Sequence, residues 1–160
     1  MLRQVCASLL SVSFLAGCFV VAPTEYQPSG FTGGFEETQL SDNTWRINFA
    51  GNAHTSQARA QDFALLRSSE LALANGYRYF VITDQASWSK QRISKTGGKP
   101  TTTTSVTGVT TTKYSPTQVH TYNNPQAENV IVCFKEKPEI DGMIFDAEFL
   151  QKTLRQKYSL

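Results

Sequence analysis

Histidine is scarce in this sequence, and the motifs that would give it a catalytic or metal-binding role are missing. Only His54 and His120 occur among the 160 residues, and both fall in predicted loops far apart in the chain. Neither a His-x-x-x-His spacing nor an EF-hand pattern is present, so we predict no metal site. A Gly-x-Ser-x-Gly elbow, a P-loop and a dinucleotide fingerprint are absent as well. We therefore expect a protein that is not an enzyme and binds no cofactor.

An excess of charge of one sign is also missing. The chain has 15 basic and 13 acidic residues, and its formal net charge is +2. This balance gives no electrostatic reason to expect nucleic acid or an anionic surface as partner. The length suits one domain, and apolar residues at 40% of the chain are enough for a packed core.

The longest apolar run is too short to cross a membrane. It extends from Val5 to Ala16, about 12 residues, whereas a spanning helix needs roughly 20. Arg3 precedes the run and small residues follow it, which is the three-part layout of a secretory signal peptide. We predict that residues 1–17 are a signal peptide, cleaved between Gly17 and Cys18.

The tetrapeptide Leu15-Ala16-Gly17-Cys18 closes this run and resembles the lipobox of bacterial lipoproteins. In that family the cysteine sulfur receives a diacylglycerol, the chain is cut before the cysteine, and the new amino group is acylated. The resemblance implies that Cys18 anchors the protein in the lipid bilayer. Asp at the next position often retains such lipoproteins at the inner membrane, so Phe19 favours the outer membrane, facing the periplasm. An ordinary signal peptide ending in a chance cysteine is the alternative.

Cysteine is also scarce, with three residues in the chain. Cys6 leaves with the predicted signal peptide and Cys18 is consumed by lipid, so Cys133 has no partner for a disulfide. It lies in an apolar run typical of a strand. We predict a small buried hydrophobe there rather than a reactive thiol.

The rest of the chain divides into a tether and one domain. Residues 18–43 are rich in Pro and Gly, and we predict a lipidated tether with a reach of about 28 Å. Residues 44–160 are predicted to form a single α+β domain, a small mixed sheet of about four to five strands packed against one long helix at about 57–75. A right-handed βαβ crossover and an antiparallel return both fit the order of elements. The predicted strands are 44–50, 77–84 and 129–135, and a shorter C-terminal helix is predicted at 147–157.

A threonine-rich segment interrupts this pattern at about residues 97–116. It holds eight threonines between Thr101 and Tyr114. Threonine favours strands, and Thr107-Gly108 fits a tight turn, so a hairpin is the preferred interpretation. A low-complexity loop is the alternative.

One charged residue falls on the apolar side of the main helix. Glu70 lies between Phe63 and Leu66 on a helical wheel, and Arg67 is three residues before it. A buried carboxylate is costly unless it is paired, so we predict a buried ion pair of Glu70 with Arg67 or Arg78. The alternative is a general acid or base with a raised pKa.

Several short motifs occur between Tyr26 and Asp84, about 60 of the 160 residues. They are Tyr26-Gln27-Pro28, Gly33-Gly34-Phe35, Phe49-Ala50-Gly51-Asn52, Arg67-x-x-Glu70-Leu71-x-Leu73 and Gly76-Tyr77-Arg78-Tyr79-Phe80. This segment resembles a family of small, largely uncharacterised envelope lipoproteins of Gram-negative bacteria. The resemblance implies an envelope location and brings no activity or catalytic residues.

The function expected from the sequence is a structural or interaction role in the cell envelope. Partners would be an envelope protein complex or peptidoglycan. The alternative is a small-ligand or stress-sensing module that uses a face formed by Tyr77 and Tyr79, and an enzyme ranks third.

Overall fold

The computed structural model describes residues 22–160, which form a mixed α/β architecture with two helices, one of them C-terminal. The predicted signal peptide and lipobox lie outside the described residues. The elements are β1 Gly34–Ser41, β2 Thr44–Ala50, α1 Gln57–Ala74, β3 Tyr79–Thr96, β4 Pro100–Thr104, β5 Thr110–Tyr114, β6 Gln118–Phe134, β7 Ile144–Asp146 and α2 Ala147–Tyr158. A five-stranded antiparallel sheet has the order β1-β2-β6-β3-β7, and β4 and β5 form a separate hairpin.

The core lies between α1 and one face of the sheet. Strand β2 alternates as its sequence predicts, with Trp45, Ile47 and Phe49 buried on the side of the helix. Phe63 from α1 meets Phe49 edge-on, with ring centroids 5.2 Å apart. Cys133 is 1% exposed and belongs to this core, and burial raises the pKa of its thiol to about 12.

The helix ends follow local sequence signals. The side chain of Ser56 accepts a hydrogen bond from the backbone N–H of Arg59 at 3.1 Å, which caps the N-terminus of α1. Gly76 follows the helix with a φ of 77°, the left-handed conformation that stops helices. Asp146 caps α2 by accepting from two backbone N–H groups, both at 3.1 Å.

Two features of the predicted architecture need correction. We expected a mixed sheet, but every strand pairing is antiparallel. Strands β2 and β3 do not pair with each other, because β6 returns from the far end of the chain and lies between them. We also expected one long helix as the main element, whereas strands dominate and helices of 18 and 12 residues share the packing.

The predicted tether at 18–43 is largely part of the domain. Residues Gly34–Ser41 form β1, which pairs along β2. Thr24 is only 2% exposed, and its backbone N–H donates to the hydroxyl of Thr55 at 2.9 Å. Gly34 has a φ of 133°, and a Cβ there would lie 2.4 Å from the carbonyl oxygen of Gln27. Glycine is thus required by a close backbone approach rather than by flexibility.

Strands β3 and β6 continue beyond the sheet as a two-stranded ribbon. Strand β2 ends opposite Gln126, while β3 and β6 stay paired for eight further residue pairs, from Ser89 to Thr96. That extension is about 27 Å long at about 3.4 Å per residue. The hairpin β4–β5 follows it, with a turn at Gly108 whose φ is 79°. We call residues 85–127 the arm. No helix in the part of the chain described, 22–160, is long and apolar enough to span a membrane.

Candidate functional site

Four elements bring polar side chains together around Glu70. Tyr26 comes from the segment before β1 and Glu37 from β1 itself. Arg67 and Glu70 are one turn apart on α1, and Arg155 comes from α2. We call these five residues the Glu70 cluster. It joins parts of the chain that are up to 129 residues apart in sequence, because the N-terminal segment and the C-terminal helix both pack on α1.

Glu70 is the centre of the cluster, and both of its carboxylate oxygens are engaged. Its side chain is 12% exposed. Arg155 donates from Nη2 to Oε1 at 2.7 Å, and Arg67 donates from Nη1 to Oε2 at 3.2 Å. The hydroxyl of Tyr26 donates to Oε2 as well. The two guanidinium groups compensate the cost of burying this carboxylate.

Arg67 binds a second carboxylate in addition to Glu70. Its Nη2 and Nε atoms donate to the two oxygens of Glu37 at 2.7 and 3.2 Å, a two-pronged arrangement. The guanidinium also lies 4.5 Å from the ring centroid of Phe35, in cation–π contact. The hydrogen bond to Glu37 is the main reason why the pKa of Arg67 is raised above its ordinary value. Arg67 therefore connects α1 to β1.

Tyr26 acts as a fixed hydrogen-bond donor. Burial raises the pKa of its hydroxyl well above the ordinary value, and the hydrogen bond to Glu70 raises this pKa further. Its ring packs on Phe35 and Phe63, with centroids 4.9 and 5.3 Å away. A protonated tyrosine held in this way serves neither as a base nor as a nucleophile.

Of the two partners predicted for Glu70, Arg67 forms the ion pair and Arg78 does not. The Nε atom of Arg78 lies 3.4 Å from Oδ2 of Asp146, the residue that caps α2. The position assigned to Arg78 is taken by Arg155, which the sequence analysis missed. No signal in the sequence could have found Arg155, because it lies 85 residues from Glu70 and is placed there by the docking of α2.

A second polar cluster also ties α1 to α2. Asp62 accepts hydrogen bonds from Lys157 and from the hydroxyl of Tyr158, both at 2.6 Å. Burial is the first cause, and the bond to Asp62 the second, of the raised pKa of Tyr158. The Arg59 guanidinium carbon lies 4.7 Å from the ring centroid of Phe63 and 5.0 Å from that of Tyr158. This cluster, like the first, holds elements together.

The other candidate residues do not converge. His54 is exposed at the start of α1, and His120 is exposed on the arm. Tyr77 packs edge-on against Trp45 of the core, whereas Tyr79 lies next to buried Phe80 in β3 and points to the opposite face. Tyr77 and Tyr79 therefore do not share one face, as the sequence had led us to expect. Within residues 22–160, no group of three or more His, Cys, Asp or Glu side chains could hold a metal ion.

The comparisons with known proteins add no relative. No protein-family model, no curated protein and no solved structure matches this chain.

Proposed function

We propose that the protein is a lipid-anchored lipoprotein of the cell envelope, held in the outer membrane through Cys18 and facing the periplasm. Its role is non-catalytic and depends on contacts that the domain makes close to the bilayer. The lipobox sequence supports the anchor. The Glu70 cluster supports a structural role for the most buried charges, because its carboxylates and guanidiniums already bind one another.

The observation that carries the proposal is how soon after Cys18 the chain enters the domain. The side chain of Asn52 donates to the carbonyl oxygen of Ala22 at 2.8 Å, and Thr24 is fixed to Thr55. Ala22 is four residues after Cys18. Four extended residues span at most about 14 Å, at about 3.3–3.6 Å each.

A lipid on Cys18 would therefore keep the domain against the membrane. The predicted tether of 18–43 would have allowed a typical distance of about 28 Å instead. Partners that lie close to the membrane become accessible to such a domain, among them envelope proteins and the nearest peptidoglycan.

The test is expression of the full chain in a Gram-negative host, followed by membrane fractionation and intact mass of the mature protein. Cys18→Ser should abolish both the lipid mass and the cleavage before residue 18, and Cys6→Ser is the matched control in the same segment. A Cys18→Ser protein that is still processed and held in the outer membrane would refute the anchor. Phe19→Asp should shift the lipidated protein to the inner membrane, because the lipobox resemblance implies sorting at this position.

A further inference from the structure

The arm concentrates positive charge that the composition of the whole chain conceals. Between Gln85 and Ala127 there are five basic residues and no acidic residue. The five are Lys90, Arg92, Lys95, Lys99 and Lys113. All five are exposed, and none forms an ion pair with another residue in 22–160. The remaining described residues carry nine basic and thirteen acidic side chains, a formal charge of −4. The domain is therefore strongly polarised.

Large apolar side chains are exposed beside these charges. On one face of the ribbon, Arg92 lies opposite Tyr122, and Trp88 is on the same face. Trp88 is 40% exposed and Tyr122 44%. On the other face Ile93 and Val119 are more exposed still. Basic side chains interleaved with exposed Trp and Tyr are typical of surfaces that contact the lipid–water boundary.

The base of the arm lies where the chain enters the domain. The backbone N–H of Gly51 donates to the carbonyl oxygen of Pro125 in β6 at 2.8 Å, and the next residue, Asn52, holds Ala22. A groove of about 500 Å³ beside this point is bordered by Phe31, Lys90 and Arg92. The Phe31 side chain is fully exposed. The anchor end, an exposed aromatic ring and the first arm cations therefore share one end of the domain.

We propose that the arm binds the anionic phospholipid headgroups of the membrane in which Cys18 is anchored. This inference rests on the proposed lipid anchor and specifies the contact that the domain makes. The attraction is electrostatic, so it weakens as salt shortens the Debye length. The acidic remainder of the domain is repelled by the same surface. The opposite net charges of the arm and of the rest of the domain thus orient the domain, with the arm towards the headgroups.

Trp88 allows the contact to be measured directly. The chain has two tryptophans, and Trp45 is only 4% exposed, so quenching by neutral acrylamide reports mainly Trp88. The full chain, purified from membranes in detergent, is reconstituted at low density into vesicles of phosphatidylcholine alone or mixed with phosphatidylglycerol. We expect quenching to be about halved in the anionic vesicles, because a headgroup layer covers one face of the ribbon. Trp88→Phe gives the background signal.

Two variants distinguish the effect of the arm cations from the effect of positive charge elsewhere on the domain. Replacing the five arm cations by Gln should make quenching equal in the two lipids. The control replaces three exposed cations outside the arm, Lys135, Lys137 and Lys152, and should keep the protection. High salt should return the wild-type chain to the phosphatidylcholine value. Circular dichroism checks that each variant is folded.

Three results would overturn the inference. No protection of Trp88 in either lipid would exclude headgroup binding. Protection that is equally strong in both lipids would indicate apolar insertion without recognition of the net negative charge of the headgroups. Protection that appears only at high protein density would assign the arm to a second copy of the chain. If the chain stays with the vesicles but Trp88 is not protected, only the arm proposal fails and the lipid anchor stands. If the chain is not retained by the vesicles, both the anchor and the arm proposal are contradicted.

Discussion

Removing the carboxylate of Glu70 should destabilise the domain more than any other single charge change in the Glu70 cluster. In Glu70→Ala two guanidiniums lose a partner and the Tyr26 hydroxyl loses its acceptor. Breaking a buried pair in this way costs about 3–5 kcal/mol. The lower end applies here, because Arg67 keeps Glu37 and the side chain of Arg155 is 45% exposed. We expect a loss of about 3 kcal/mol, or about 10 °C in Tm for a domain of this size.

The assay is thermal and urea unfolding of Glu70→Ala, Arg155→Ala, Glu70→Gln and the double variant Glu70→Ala/Arg155→Ala. Gln keeps the shape and an acceptor for Tyr26, so its cost should be smaller. The double variant should cost less than its two single changes added together, because neither charge is left alone. Glu36→Ala, an exposed neighbour in β1 that forms no ion pair within residues 22–160, is the matched control. We expect it to stay within about 0.5 kcal/mol of the wild type.

A Glu70→Ala protein with an unchanged Tm would refute the structural role of this cluster. A Glu70→Gln protein that is as stable as the wild type but fails to complement a deletion strain would point to a functional carboxylate instead. Additive effects in the double variant would show that Glu70 and Arg155 act independently.

Further tests address the corrected parts of the prediction. A chain that starts at Asp42 lacks β1 and Tyr26, and should show no cooperative unfolding by circular dichroism. Arg78→Ala should leave the urea unfolding midpoint close to that of the wild type, since its pair with Asp146 is exposed to solvent; a loss as large as that of Glu70→Ala would contradict this assignment. Cys133 should react with a thiol reagent only after unfolding, because its thiol is buried and its pKa is raised; rapid labelling of the folded protein would place it at the surface. The raised pKa of Tyr26 stabilises the fold below about pH 10, and this contribution is lost as the pH rises further. Tyr26→Phe should therefore lose stability less steeply than the wild type above about pH 10, and an equal slope would count against the buried hydrogen bond.

Local patterns in the sequence were sufficient to predict where the two helices lie and which face of β2 is buried. Ser56, Asp146 and Gly76 act through neighbouring backbone groups, so their effects can be predicted without the rest of the fold. The alternation of Trp45, Ile47 and Phe49 is equally local. The Thr-rich hairpin also followed from residue preference and a Thr-Gly turn.

The total charge of the chain could be counted from the sequence. Where the positive charges gather in space depended on how far β3 and β6 stay paired. The sequence of residues 85–128 shows no clear alternation of apolar and polar residues. Both faces of the two-stranded ribbon are exposed to solvent, so neither face has to be apolar. In the sequence the five arm cations are isolated charges. The pairing of β3 with β6 and of β4 with β5 brings them together on the arm.

The sequence by itself determined the ends of both helices and the need to pair Glu70, because each depends on residues close together in the chain. The tertiary structure alone decided which cation meets Glu70, whether residues 34–41 belong to the sheet, and which strands are neighbours. Those outcomes depend on contacts between segments far apart in sequence. The energy of such contacts comes from burying apolar surface on both partners at once, and a pattern read within one segment does not specify its partner.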